Sequence, residues 1–239
     1  MGTGAIVGGL RHAALVLAAY EDLPRRRPWQ LLPWRRWGQI GTFDRDTELL
    51  RMWTIQSPTA YQVLCRDGIL RGSPDHVDPD HSHAYPWLED QATRLLPTPP
   101  GTLLWLWARV EAAYLRRAAR YGDDEVLLEV EVPRAHALVS AFGLWHTCLN
   151  GWPVVTQAPG EPEQLWLERL ERIYDIYSEA RQANEPDLEL LEEVMQWSWH
   201  AVLDEDDFES GESLQAVVHQ IEARQVRSAV RLRSSKGRS

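Results

Sequence analysis

The chain has 239 residues, of which 44% are hydrophobic and 12 are Trp, and this content of large apolar side chains excludes an intrinsically disordered protein. Its formal net charge of -10 argues against wholesale wrapping of nucleic acid, which requires clustered cations to neutralise phosphates. The length fits one ordinary domain.

Cysteine content and hydropathy bear on the cellular compartment. Cys65 and Cys148 are far apart and have no CxxC partner, so the sequence predicts neither a disulfide framework nor a thiolate metal site. No apolar run approaches the roughly 18 to 20 residues that span a bilayer. We therefore expect a cytoplasmic protein without a membrane partner.

Residues 1–51 differ in composition from the rest of the chain. They are rich in Arg, Trp and Pro and sustain no helical or strand period, apart from a short helix candidate over 13–20. We predict a poorly ordered N-terminal extension, either a genuine arm of the protein or a segment upstream of a true start at Met52. Residues 52–232 are predicted to form one domain, and 233–239 a basic disordered tail.

The predicted domain opens with a strand and a helix. Residues 51–56 carry Trp, Thr and Ile, which favour a pleated surface. Ser57-Pro58 is a typical helix start, and Gly68 stands at the position of a left-handed C-cap. A short extended piece over 69–72 follows the helix.

The later elements alternate without the regular pitch of a doubly wound sheet. The clearest strand covers 126–132, where apolar even positions alternate with Leu127, Glu129 and Glu131. The pattern favours an α+β domain in which a mixed or antiparallel sheet is flanked by helices. Further helices are predicted over 85–96, 111–121, 142–150, 163–181 and, capped by Asn184, about 184–203. Further strands are predicted over 102–107, 137–140 and, as a closing pair, 214–221 and 225–232.

A polar stretch over 75–83 contains three Asp and three His, the ligand types that suit Zn, Mn or Fe. It lacks an established metal-binding spacing such as HExxH. Asp and Ser at this point also suit the N-terminus of the following helix. We interpret the stretch as solvated residues and assign no metal ligand.

His146 and Asn150 lie four residues apart, which places them on one helical face beside Trp145. Both side chains could bind a ligand, and His146 could act as an acid or base near neutral pH. The alternative is a partly buried His that is bonded to a backbone carbonyl.

Two further groups of side chains are open to two interpretations. Trp105, Trp107 and Arg109 could line a pocket in which a flat ring stacks and the guanidinium meets a phosphate, or the Trp residues could be simple core. Glu129 and Glu131 face either a site or solvent. No P-loop, GxGxxG or GxSxG motif is present, which excludes several large enzyme groups.

The sequence contains, in this order, the motifs MWTIQS, LCRDGILRG, AYPWL, WLW, LLEVEVP, LWHTCLN, MQWSW and LQA. These motifs, with their rare Trp positions, resemble a small bacterial family known only as a domain of unknown function. The resemblance covers Met52 to Leu232 and implies no settled activity.

The opening strand, helix and Gly-containing turn also resemble, more distantly, the first elements of the ADP-ribosyltransferase superfamily. The fold of that superfamily binds NAD in a cleft between two small sheets. The resemblance implies that Thr54 replaces the first-strand His or Arg and that Gln56 replaces the hydroxyl residue after it. Tyr85 or Trp107 would be the stacking aromatic, and Gln215 would stand near the catalytic Glu. Thr54 does not supply the positive charge of the family's His or Arg, and Gln215 does not supply the carboxylate of its catalytic Glu.

These observations lead to two functional hypotheses. The first is a nucleotide-binding, NAD-using, transferase-like domain with His146 as acid or base and Glu131 in reserve. Its cleft would be lined by Thr54, Gln56, Arg71, Tyr85, Trp107, Trp145, His146 and Gln215. The alternative is a non-enzymatic adaptor or immunity-type protein, whose acidic helices between Glu161 and Asp207 recognise a basic protein partner.

Overall fold

The computed structural model describes residues 19–26, 38–77, 83–115, 125–183 and 188–232. Several predictions fall outside these ranges. They concern most of the helix candidate over 13–20, the second half of the helix over 111–121, the Asn184 cap and the tail over 233–239.

The strands form one main sheet and a small second one. The described strands are β1 (Arg25–Arg26), β2 (Gln39–Ile40), β3 (Leu49–Gln56), β4 (Ile69–Arg71), β5 (Leu104–Glu111), β6 (Val126–Pro133), β7 (Leu138–Ala141), β8 (Leu214–Val218), β9 (Gln220–Glu222) and β10 (Val226–Leu232). The main sheet has the order β1-β10-β6-β3-β5-β8-β7, with β2 also paired to β5, and β4 pairs with β9. Only β1 and β10 are parallel among the described pairs. The predicted α+β fold with a mixed or antiparallel sheet is confirmed, and the parallel pair of β1 and β10 makes the sheet mixed.

The described helices are α1 (Pro58–Asp67), α2 (Tyr85–Leu95), α3 (Phe142–Leu149), α4 (Glu163–Ala183) and α5 (Leu188–Ser198). The predicted caps of α1 are present. Ser57 accepts a hydrogen bond from the Ala60 N–H at 3.1 Å, and Gly68 ends the helix at φ 76°. A 3-10 turn over Trp199–Leu203 continues the chain after α5. No helix within the described ranges has both the length and the apolar character needed to cross a membrane.

The main core lies on one face of the sheet. The alternation predicted for 126–132 is confirmed, because Val126, Leu128 and Val130 are fully buried in this core. Leu64 of α1 packs against the same face. Trp105 and Trp107 of β5 join two other apolar clusters.

The two strands predicted to close the fold as a pair do not pair with each other. β8 lies between β5 and β7, whereas β10 lies between β6 and β1. The short strand β9 separates them in sequence and pairs with β4, which carries the chain off the main sheet before it returns at β10. The prediction of a closing pair was therefore wrong, since long-range pairing outweighs nearness in sequence.

Parts of the segment before Met52 belong to the fold. Tyr20 and Leu50 are buried in the main core, and Ile40 is buried beside Trp53. β1 and β2 extend the sheet through their pairing with β10 and β5. These residues thus differ from the expected poorly ordered extension. A biological start at Met52 stays a prediction.

Candidate functional site

A cleft of about 400 Å³ lies where β3 ends, α1 begins and β5 starts. The antiparallel register sets Trp53 opposite Trp107, so Gln56 at the end of β3 lies near the beginning of β5. The segment after β4 and the first turns of α2 complete the walls. The volume falls within the range of small-molecule sites.

Gly72 shapes the wall of the cleft between β4 and β5. A Cβ atom at this position would lie 2.4 Å from the backbone oxygen of Thr102 and 2.8 Å from that of Leu103. No side chain fits in this space, so only glycine lets the two chain segments approach so closely. Both segments contribute residues to the cleft lining.

Two aromatic rings line the cleft, and a third supports them. Tyr85 and Trp105 border the cavity, with ring centroids 6.3 Å apart and planes at 83°. The buried ring of Trp145 lies behind them, 6.1 Å from Tyr85 and 5.5 Å from Trp105. This backing holds the two lining rings in place.

Polar side chains converge on the same cavity. The Gln56 amide donates a hydrogen bond to the buried Thr54 hydroxyl at 2.8 Å, which restrains the amide. The exposed Arg71 guanidinium donates to the Gln220 side-chain oxygen at 3.0 Å. Glu89 of α2 adds a carboxylate to the lining.

The N-terminus of α1 also opens on the cleft, through Ser57, Thr59 and Ala60. The first N–H groups of a helix carry a partial positive charge. In α1, Pro58 has no N–H and the Ala60 N–H donates to the Ser57 hydroxyl, so the Thr59 N–H is the donor that these first positions offer a ligand. Such an end attracts anions, phosphate groups among them. The cleft therefore combines aromatic walls with a cationic side chain, a helix N-terminus and a carboxylate.

The structure brings together part of the predicted site. Thr54, Gln56, Arg71 and Tyr85 line the cleft, and Trp145 supports it from behind. The other predicted residues lie elsewhere.

Trp107 and His146 belong to a second group of rings, which we call the Phe142 cluster: Trp107, Tyr114, Phe142 and His146. The ring of Phe142 lies 4.8 Å from Trp107 and 4.2 Å from His146. His146 Nδ1 is 2.9 Å from the backbone oxygen of Phe142, as in the carbonyl-bonded alternative, although His146 is exposed. Gln215 lies beside this cluster, opposite Trp107 in the strand register.

The carboxylates of β6 have partners on neighbouring strands. Glu131 accepts a hydrogen bond from Arg227 of β10 at 2.6 Å, and Glu129 accepts one from Arg51 of β3 at 2.5 Å. Neither lines the cleft. Glu131 therefore forms a cross-strand ion pair with Arg227 and does not line the cavity.

Arg109, proposed as a phosphate ligand beside Trp105 and Trp107, has a different arrangement. Its guanidinium donates to the backbone oxygens of Glu212 at 2.6 Å and Glu209 at 2.7 Å. It holds the segment that leads into β8 and does not line the cleft.

The polar stretch over 75–83 is described only in part, since residues 78–82, with two of its Asp and one of its His, lie outside the described ranges. His76 lines the cleft. His83 points elsewhere, with Nε2 3.2 Å from the backbone oxygen of Cys148. Within the described ranges, no three His, Cys, Asp or Glu side chains are grouped as metal ligands would be.

Glu89 and the N-terminus of α1 were missed as site components from the sequence. A signal for Glu89 exists, because it follows Tyr85 by four residues on a predicted helix and therefore shares its face. Once Tyr85 is assigned to a cleft, Glu89 should be considered with it.

Burial shifts the pKa of two titratable groups, Tyr61 and His219, in the direction that favours the neutral form. Burial and a hydrogen bond with Cys65 raise the pKa of Tyr61 on α1 to about 12. Burial lowers the pKa of His219, whose Nδ1 lies 2.9 Å from the Thr98 hydroxyl. His219 directly precedes Gln220, whose side-chain oxygen accepts a hydrogen bond from Arg71.

Fold and cleft together define an α+β domain with a cavity of small-molecule size. A family model described as "Domain of unknown function (DUF3841)" matches residues 51–227, and the chain belongs to this family. The predicted resemblance to a domain-of-unknown-function family is thereby confirmed. No curated protein and no solved structure matches the chain. The more distant resemblance to the ADP-ribosyltransferase superfamily stays a prediction.

Proposed function

We propose that the cleft binds a nucleotide of the NAD type. The observation that carries this proposal is the convergence on one cavity of the Tyr85 and Trp105 rings, the Arg71 guanidinium and the N-terminus of α1. The rings match the flat base of a nucleotide, and the guanidinium and the helix N-terminus match its phosphates.

Each group has a defined task in this proposal. The rings of Tyr85 and Trp105 contact the flat nicotinamide or adenine ring. Arg71 and the helix N-terminus bind the phosphates, because a guanidinium forms strong charge-assisted bonds to phosphate oxygens. The restrained Gln56 amide bonds to the carboxamide or the sugar hydroxyls.

We further propose that the reaction is transfer of the ADP-ribosyl group, with Glu89 in the role that the resemblance gave to Gln215. The bond between nicotinamide nitrogen and ribose C1′ breaks, and its electron pair leaves with nicotinamide. Positive charge develops on the sugar, as in other glycosidic cleavages, and a nearby carboxylate stabilises it. Water or an acceptor nucleophile then attacks C1′ and loses its proton to solvent.

The test of binding is a calorimetric and thermal-shift titration of the full chain with NAD, ADP-ribose, AMP and nicotinamide. A ligand that binds only the folded state raises the unfolding midpoint in a dose-dependent way. We expect NAD to do so, and Arg71→Gln and Tyr85→Ala to weaken its binding at least about tenfold, as the loss of a central contact does. Arg227→Gln, which removes an exposed guanidinium outside the cleft, is the matched control.

Chemistry is tested separately from binding. Glu89→Gln should retain NAD affinity within a few-fold and lose release of nicotinamide, which chromatography measures. The absence of any NAD-dependent shift in the folded protein would refute the binding proposal. NAD binding with unchanged nicotinamide release in Glu89→Gln would refute the role of Glu89 alone.

The alternative, an interaction protein that recognises a basic partner, concerns a different surface. Exposed acidic side chains follow one another along α4, among them Glu168, Glu171, Asp175 and Glu179. Such a surface steers cationic partners toward the protein.

A further inference from the structure

α5 exposes three large apolar side chains, Leu190, Val194 and Trp197, which we call the α5 stripe. Their exposed fractions are 60%, 56% and 76%. The spacing of four and three residues places them on one face of the helix. The stripe is thus a continuous apolar surface and not a set of scattered exposed residues.

The helix that carries the stripe is docked on the protein by another face. Met195 is buried in an apolar cluster, and Trp199, in the turn directly after α5, is fully buried there. The Trp199 indole N–H donates to the backbone oxygen of Trp152 at 2.9 Å. The stripe is therefore exposed although its helix is fixed in place.

The chemistry of the stripe is that of a protein-binding surface. Tryptophan is enriched among the side chains that dominate binding energy at interfaces, and Trp197 is the most exposed of the large apolar side chains in the described ranges. An aligned, exposed apolar surface with a polar border is typical of an interaction site.

The border of the stripe is acidic. Glu189, Glu192 and Glu193 are exposed on the same helix, and α5 contains no Lys or Arg. This charge repels nucleic acid and anionic lipid surfaces. It also disfavours a second copy of the chain, since each copy carries the same acidic border and a net charge of -10.

We propose that the α5 stripe docks a cationic amphipathic helix of another protein. The apolar face of that helix packs on Leu190, Val194 and Trp197, as in helix recognition by apolar surfaces elsewhere. Its Lys and Arg side chains meet the glutamates of the border. This proposal goes beyond the nucleotide cleft, whose lining contains no residue of α5.

The probe for the test is a labelled synthetic helix of Leu and Lys with one apolar face, titrated with the full chain in fluorescence anisotropy. A second peptide has Glu in place of every Lys. We expect binding of the Lys peptide, weakening with salt, and no binding of the Glu peptide. Trp197→Ala should raise the Kd at least about tenfold, the loss typical of a central interface residue. Leu95→Ala, which shortens an exposed leucine of α2, should leave the Kd within about twofold.

Several results would overturn the proposal. These are no binding of the Lys peptide, equal binding of both peptides, or an unchanged Kd in the folded Trp197→Ala protein. Self-association that Trp197→Ala abolishes would assign the stripe to a second copy, and binding to anionic phosphatidylserine vesicles would assign it to a membrane. Trp197→Ala should bind NAD with the affinity of the natural protein. The test of the α5 stripe and the test of the cleft can therefore fail independently of each other.

Discussion

The cleft and the Phe142 cluster contain the same kinds of side chain, yet they differ in what the rings contact. In the cleft, Tyr85 and Trp105 border a cavity of about 400 Å³. In the cluster, the Phe142 ring packs on Trp107 and on His146, with ring centroids 4.8 and 4.2 Å away. An aromatic side chain can bind a ligand only where its neighbours leave a face free, and composition alone does not reveal where this is.

Trp105 and Trp107 show this difference most directly, because they are two residues apart on β5. Trp105 contacts Trp145 and the cleft, whereas Trp107 contacts Phe142 and Tyr114. Two residues along one strand therefore separate a ring that lines the cleft from a ring that packs on other rings.

Removal of residues 1–51 should destabilise both the cleft and the Phe142 cluster. It should have the largest effect on the unfolding free energy. Tyr20 and Leu50 pack in the core next to the cleft, and Ile40 packs in the cluster that includes Trp107. Burial of one large apolar side chain contributes about 1.5–3 kcal/mol, so their loss removes about 5–9 kcal/mol. This is comparable to the whole stability of a typical domain. Urea unfolding of a 52–239 chain should show no cooperative transition.

A chain that lacks only residues 1–18 is the control, because it keeps Tyr20, β1 and β2. A 52–239 chain that unfolds at the same urea concentration as the full chain would contradict the expectation. It would show that residues 1–51 are dispensable for folding.

Trp107→Ala should separate the two regions. Replacing this partly buried ring by a methyl group should cost about 2–4 kcal/mol of unfolding free energy, within the range of large-to-small changes in apolar cores. The thermal shift with NAD should remain, since Trp107 does not line the cleft. Tyr85→Ala is the complementary change and should lose the NAD response with a smaller effect on stability. Loss of the NAD response in a folded Trp107→Ala protein would place the Phe142 cluster in the site.

Short-range features of the fold were predictable from the sequence. Alternation over 126–132 identifies β6, and Ser57-Pro58 with Gly68 identifies both ends of α1. These features depend on residues that are neighbours in sequence. The pairing of β8 and β10 depends on distant strands, and no local pattern in either run of residues encodes it.

The same limit applies to the cleft. Thr54, Gln56 and Arg71 lie close together in sequence around one strand–helix–strand unit, so a resemblance over that unit is enough to group them. Gln215 and His146 reach their surroundings through β8 and α3, and their placement requires the strand register. Gln215 is opposite Trp107 in that register and thus outside the cleft.

Gly72→Ala should damage the cleft while the Phe142 cluster remains intact. The new methyl group would lie 2.4 Å from the Thr102 backbone oxygen, so β4 and β5 must separate. We expect a loss of about 1–3 kcal/mol of unfolding free energy, as for other overpacked sites, and loss of NAD binding in the titration. Gly101→Ala, next to the same segment but facing open space, is the matched control and should leave both properties unchanged. Equal NAD affinity in both variants would show that this wall does not shape the binding site.

The smallest expected effect is a dependence of stability on pH that comes from the buried His219. Burial lowers its pKa in the folded state below the ordinary value of about 6.5, and its Nε2 is buried without a hydrogen-bond partner among the described residues. Well above pH 6.5 the side chain is neutral in both states. As the pH falls below 6.5, the unfolded state binds the proton more readily, so the unfolding free energy decreases until the folded pKa is passed.

Urea unfolding at several pH values between 5 and 7.5 measures this contribution as a difference between the natural protein and His219→Gln. Acidic groups such as Glu212, whose pKa is raised by burial, affect both proteins alike and cancel in the difference. We expect the natural protein to lose more stability than His219→Gln between pH 7 and pH 5. If the two curves are parallel, His219 does not titrate on unfolding in this range. If they diverge, the unfolded chain takes up a proton at His219 over this interval while the folded protein does not.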